Sequence, residues 1–329
     1  MATGYVNARL YPVTWRVKGA RIERFTFPNS VVDTGEAWVM LCPMASPRAR
    51  NCLRMLTAQQ FQRVRRLALS RAGIELVDRH QQLLFHRGQR LGLANTEQFE
   101  AFLASIETGD SSAGEQLLRL ITTGHTGFFR HPKHFELAAT HAQRAVTNRG
   151  QARLWSAGAA TGEEVWSLAI SQIESFERDD PPVSILATDL SSEALSFAAR
   201  AEYGQQSIEA VSPERRERFF DETKPGRWTI KAAVRERVQF RAQNLAEIEW
   251  QVAGPFDVIL CRNVLMYLEP AYRYAALEHM AALLSPDGLL MLDPAEHLGK
   301  ASHWFTAGAG GVYRRRSPRV ESTGAGLRR

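Results

Sequence analysis

Cysteine is scarce: the 329 residues hold three (Cys42, Cys52 and Cys261), with no paired spacing. That excludes a disulfide framework and a cysteine-built zinc site, and it fits a reducing cytoplasm. Long apolar runs are missing too, so no segment is expected to cross or insert into a membrane. The first thirty residues carry Arg9, Arg16, Lys18, Arg21 and Arg24 without the continuous apolar stretch of a secretory signal. The chain is therefore expected to work in the cytoplasm.

Basic charge is lacking where a nucleic-acid enzyme needs it. The formal net charge is +6, but residues 1–50 contribute +4, residues 51–120 +2 and residues 314–329 +5. The stretch between, 121–313, holds 19 basic against 24 acidic side chains. An enzyme acting on DNA or RNA carries a basic face beside its active site. The acidic middle of this chain argues against nucleic acid as partner.

What is present is a globular composition, 44% apolar and 23% charged, enough for one large or two ordinary domains. Residues 1–54 show no sustained period and form an extension whose structure stays open. From Thr57 the pattern is helical: Thr57 with Gln60 makes a capping box, and Phe61, Val64, Leu67 and Ala68 follow at helical spacing. A second helix starts at Asp78 with Gln81 and stops at Gly92, placing Arg87 and Arg90 on one face. A third, from Thr96, buries Phe99, Phe102, Leu103 and Ile106, and a fourth covers Gln116 to Ile121. Residues 55–122 thus read as a small all-α domain.

After residue 150 short apolar runs alternate with helical segments: Arg153–Ala157, Val183–Thr188, Phe256–Cys261 and Gly288–Leu292. This alternation predicts an α/β fold with a parallel sheet covered on both faces. Residues 204–240, with helix-like Pro213–Phe220 and strand-like Arg227–Ile230, read as an insertion, and the basic tail 314–329 as disordered.

Ligands of open α/β sheets sit at the carboxyl ends of the strands. Ser156-Ala-Gly-Ala-Ala-Thr-Gly-Glu-Glu164 places small residues and two acids at one such end. A phosphate would be repelled there. Glu163 and Glu164 either meet a cationic or amine-bearing ligand or only complement the helix dipole. Asp189, just after a strand, is placed to accept from ribose hydroxyls. A small turn with acids therefore fits S-adenosylmethionine, which has a ribose, an amino group and a sulfonium but no phosphate. Arg262 and Asn263 either bond the ligand or cap the following helix, and Asp293-Pro-Ala-Glu296 either lines the pocket or ends the sheet. Phe128, Phe129 and Arg130, at the junction of the helical and α/β segments, form either a lid or junction core with a surface charge.

Together these residues carry a resemblance. Thr-x-Phe-Phe-Arg, Ser-Ala-Gly-x-x-Thr-Gly-Glu-Glu, Thr-Asp-Leu, Gln243-Asn-Leu and Phe-Asp-x-Ile-x-Cys-Arg-Asn-Val-x-x-Tyr resemble, in order and spacing, the chemotaxis receptor glutamate methyltransferases of the CheR type. The resemblance spans roughly residues 55–315. It implies a Rossmann-like methyltransferase domain over 123–313 that uses S-adenosylmethionine, a helical amino-terminal domain and a small β-subdomain. Carried over by position, it assigns cofactor contacts to Thr126, Arg130, Glu164, Asp189, Asn244, Leu245, Arg262 and Asn263. The catalytic pair becomes Arg130 and Tyr267. The partner it implies is the cytoplasmic helical domain of chemotaxis receptors; Arg87 and Arg90 either meet it as a basic patch or form an ordinary solvated helix face, and the protein is expected to act as a monomer. Its 220–230 hairpin is shorter than in relatives that grip a receptor's carboxy-terminal tether.

Two positions depart from the family: Gly124 stands where it usually has Asn, and Asp293–Glu296 where it usually has Gly-His-Ser-Glu. They are the support for a rival reading as a non-catalytic relative. A second rival, amino-methylation of a base or small molecule, lacks its Asn/Asp-Pro-Pro-aromatic signature at Cys261-Arg-Asn-Val264.

Overall fold

The computed structural model describes residues 14–18, 21–25, 56–122, 124 and 126–316. The chain divides into two compact units, Met1–Leu53 and Arg54–Arg329. In the first, β1 (Thr14–Lys18) pairs antiparallel with β2 (Arg21–Phe25).

The second unit opens with four helices: α1 (Ala58–Ala72), α2 (His80–Arg90), α3 (Thr96–Glu107) and α4 (Ser111–Ile121). The Thr57–Gln60 capping box is formed, and Gly73 closes α1 in the left-handed conformation. Asp78 does not cap α2. That helix begins at His80, and the Asp78 carboxylate lies in solvent against Arg65. Helix α4 starts a turn and more before Gln116, because Asp110 accepts from the Ser112 and Ala113 amides.

Next comes α5 (Pro132–Arg149), whose alanine-rich buried face carries too weak a hydrophobic period to announce a helix. The sheet and its helices follow as β3 (Ala152–Ala157), α6 (Glu163–Phe176), β4 (Val183–Asp189) and α7 (Ser192–Arg200). A small antiparallel sheet is then inserted, ordered β5-β7-β6. It is built from β5 (Glu202–Gly204), α8 (Gln205–Ile208), α9 (Pro213–Phe219), β6 (Phe220–Lys224), β7 (Arg227–Ile230) and α10 (Ala232–Arg235). The chain returns through β8 (Val238–Ala242), β9 (Phe256–Leu260), α11 (Pro270–Leu283), β10 (Leu284–Met291), β11 (Phe305–Ala307) and β12 (Val312–Arg315).

The main sheet runs β11-β12-β10-β9-β3-β4-β8. Its β10-β9-β3-β4-β8 core is parallel, and β12 is antiparallel to both its neighbours. Two expectations need correction. Val238–Phe240, expected inside the insertion, belongs to the main sheet, where β8 pairs with β4. Arg314 and Arg315, expected in a disordered tail, form the end of β12; residues 317–329 lie outside those described.

Each face of the sheet has its own core. Trp155, Ile259, Leu290 and Leu292 pack with α1–α4 and α11, whereas Leu154, Ile185, Val258 and Met291 pack with α5, α6 and the inserted sheet. The period-2 alternation of the strands sorts these sets. Helices α1–α4, expected as a separate domain, share one continuous core with the sheet.

Candidate active site

The chain proceeds from β3 to β4 and β8 on one side, then returns to β9 on the other. The crevice of a doubly wound sheet lies at such a reversal. A cleft of about 390 Å³ opens there, and Thr126, Arg130, Glu164, Asp189, Asn244, Leu245, Arg262, Asn263 and Tyr267 all line it. Nine residues from five stretches of sequence thus share one wall system.

The turn from β3 to α6 is shaped by glycine. Gly158 has φ +93°, and a Cβ there would meet Val264 Cγ2 at 2.3 Å. Gly162, the N-cap of α6, has φ +95°, and its Cβ would lie 2.8 Å from Ala198 Cβ. The adjacent acids then part company. Glu163 turns inward and accepts from Thr161 Oγ1 at 2.6 Å, away from the cleft. Glu164 faces the cleft, accepting from Ser156 Oγ at 3.2 Å and pairing with Arg262 Nη1 at 2.9 Å. Burial pushes the Glu164 carboxyl above its usual range, and Arg262 opposes that rise. Of the two acids, only Glu164 is available to a ligand.

At the end of β4, Asp189 accepts from the amides of Ala160 at 2.8 Å and Ser191 at 2.9 Å, one on each oxygen. Burial raises its pKa while these amides oppose the rise. Each oxygen keeps a second acceptor position, enough for a pair of ribose hydroxyls.

The segment after β9 forms the facing wall. Arg262 is buried, its side chain only 3% exposed, and its Nη1 donates to Glu164 and to the Arg130 carbonyl at 3.1 Å. It locks two cleft segments together while lining the cleft itself. Asn263 adopts φ +58°, a left-handed conformation that asparagine tolerates. Glu296 holds this turn: its buried carboxylate accepts from the amides of Asn263, Met266 and Asp293. Asp293 and Glu296 do not line the cleft. They fix the wall from behind, with Asp293 3.7 Å from His131 Nε2.

Phe128 is junction core, packed edge-on against Tyr203 and Phe220 of the inserted sheet. Phe129 lies under Arg215, whose guanidinium sits 4.0 Å from its ring centre. Neither forms a lid. Gly124 lines the cleft with nothing within 4 Å of where a Cβ would be, so a side chain would fit there. Asn244 has its amide engaged, donating to the Arg71 carbonyl at 2.8 Å and accepting from Ala246. The sequence signal missed Leu190, Phe197 and Ile74, apolar lining with no polar mark, and Arg119 of α4, which bonds Glu193 of α7 at 3.1 Å. On α2, Arg90 is exposed, whereas Arg87 is partly buried and donates to the carbonyls of Leu120 and Thr122.

The cleft suits a nucleoside sulfonium. Glu164 and Asp189 offer acceptors, glycines permit close backbone approach, and the cation beside Glu164 is already neutralised. With the sheet order, these features define a Rossmann-like methyltransferase. Residues 124–313 match the family model for the CheR methyltransferase SAM-binding domain. The chain is 36% identical over 253 residues to chemotaxis protein methyltransferase 2 of Pseudomonas aeruginosa, covering 75% of this chain and 89% of that one. It is 32% identical over 263 residues to the chemotaxis protein methyltransferase of Salmonella typhimurium, covering 78% and 90%, and similarly to that of Escherichia coli, covering 78% and 91%. The chain belongs to the CheR methyltransferase family, and it is an enzyme that uses S-adenosylmethionine.

Proposed function

We propose that this enzyme transfers the methyl group of S-adenosylmethionine to glutamate carboxylates on the cytoplasmic helices of chemotaxis receptors. The observation that carries this reading is the convergence of all nine motif residues on one cleft at the sheet's switch point. Asp189 accepts from the ribose, Glu164 from the amino group, and Leu245 with the backbone beside Asn244 borders the base. The bound donor supplies an electrophilic methyl on a sulfonium.

A substrate glutamate is already ionised at neutral pH, so no general base is required. The protein's task is to desolvate that weak nucleophile and hold it in line, about 3 Å from the carbon it attacks. Arg130 holds the incoming carboxylate through its planar fork, and the Tyr267 hydroxyl orients the same oxygen. Cys261, beneath the site, does not compete: burial holds its thiol well above the usual range, so it stays protonated.

The test is incubation with methyl-labelled S-adenosylmethionine and receptor-containing membranes. Base-labile label should appear on a receptor and map to glutamate. Base-stable label, or label on another class of protein, would remove the assignment.

A further inference from the structure

Arg87 differs from the other basic residues of α2. Arg79 and Arg90 lie in solvent, but Arg87 is partly buried, and its Nη1 donates to Leu120 O at 3.0 Å and Thr122 O at 2.9 Å. These are terminal carbonyls of α4, where the helix has no partners of its own and carries partial negative charge. Thr122 is part of the cleft lining, and the chain leads from it to Thr126 and Arg130. The Tyr267 loop is tied to the stretch between α1 and α2, because the Glu75 amide donates to the Tyr267 carbonyl at 2.9 Å and Ile74 bridges Leu268.

We propose that Arg87 is a positioning residue for the methyl-donor site. By fixing the chain at Leu120 and Thr122 it sets the wall that carries Thr126 and Arg130. Helix α2 then shapes the cofactor cleft as well as facing the receptor. This rests on the cleft being the S-adenosylmethionine site.

Electrostatics alone predicts the opposite sign. S-adenosylmethionine carries one more positive charge than S-adenosylhomocysteine, so removing a nearby cation should favour the first ligand over the second. Loss of positioning should weaken both alike.

The experiment is calorimetric titration of both ligands into the full chain, without receptor, for wild type, Arg87→Ala, Arg87→Lys and Arg90→Ala. Arg87→Ala should weaken both ligands by about fivefold to tenfold, the range of a charge-assisted hydrogen bond that is partly coupled to the site. Arg87→Lys should recover most of that loss, since an ammonium still donates to both carbonyls. Arg90→Ala, which removes the exposed neighbouring charge, should leave both affinities unchanged. If Arg87→Ala does not fold, Arg87→Gln serves, with a smaller loss expected for both ligands. Wild-type affinities in the Arg87 variants, a change confined to the ratio of the two ligands, or no recovery with lysine would overturn the proposal. A loss in Arg90→Ala as large as that in Arg87→Ala would also overturn it.

Discussion

Glu164 and Arg90 are both charged side chains on the terminal turn of a helix, each with the sign that complements its dipole. The protein treats them in opposite ways. Glu164 is enclosed and holds an ion pair and a hydroxyl before any ligand arrives. Arg90 stands in solvent. The difference separates a preorganised cleft from a solvated helix face. In the cleft Glu164 and Arg262 orient one another, so removing one strands its partner in a dry place. On the α2 face a charge can be removed and water replaces it.

The comparison breaks most visibly at Arg262. Replacing it by methionine keeps bulk but leaves Glu164 buried without its counter-ion, which should cost about 3–5 kcal/mol of stability at neutral pH. The loss must be pH-dependent with a definite sign. Burial already raises the Glu164 carboxyl, and removing Arg262 raises it further. A group with a raised folded-state pKa contributes its stability at low pH and loses it as pH climbs through that pKa. Urea unfolding should therefore show a deficit in Arg262→Met that is largest at alkaline pH and shrinks on acidification. A Glu164→Gln partner mutation should recover much of it. A deficit independent of pH would mean that Arg262 acts through packing alone.

Asp189 tests the opposite wall of the cleft through the ligand. Asp189→Ala removes a charged acceptor of ribose hydroxyls and should cost roughly 1.5–3 kcal/mol of S-adenosylmethionine binding, or about ten- to a hundredfold in affinity. Equilibrium dialysis on the folded variant measures it, and unchanged affinity would remove Asp189 from the ribose site. At Arg130 the expected loss is in turnover. Lysine cannot reproduce the planar fork, so Arg130→Lys should slow methyl transfer roughly tenfold at saturating cofactor with the melting curve preserved. Full turnover would make Arg130 a junction residue only.

The cleft was legible in sequence because its chemistry is local. Strand-end acids and the small residues between them sit within short windows, whereas Thr126, Asn244, Leu245 and Tyr267 entered only through the family resemblance. What was not legible is set by contacts far apart in the chain. Nothing near Arg262 indicates that its guanidinium joins Glu164 to the Arg130 carbonyl. Nothing near Glu296 indicates that it binds three amides of the facing turn. Helix α5 escaped because alanines bury as well as leucines but write a faint pattern. Strand β8 escaped because Gln239 and Arg241 leave one of its faces exposed, unlike β9, which is buried along its whole length. The shared core of α1–α4 with the sheet has no local sign at all.

The smallest effects belong to the α2 face. Leu83, Arg87 and Arg90 follow at helical spacing, with Leu83 44% exposed and Arg90 in solvent. An acidic receptor helix laid there would gain Coulomb attraction screened beyond about 10 Å at 0.1 M salt. Single exposed pairs contribute about 0.2–1 kcal/mol, so Arg90→Ala should weaken receptor binding only a few-fold, with the loss fading as salt rises. The inserted sheet offers little to offset that. Its β6–β7 hairpin turns through Pro225 and Gly226 alone, and the exposed edge of β6 is only Phe220–Lys224. Binding should therefore not depend on a carboxy-terminal tether. Titration against receptor fragments with and without their last residues, at low and high salt, should give equal affinities for the two fragments. Both affinities should fall several-fold at high salt. Tight binding of an isolated tether peptide would place recognition on the inserted sheet. Salt-independent binding of the intact fragment would leave Arg90 in the same condition as Glu164, a buried charge at an interface, and erase the contrast between the two regions.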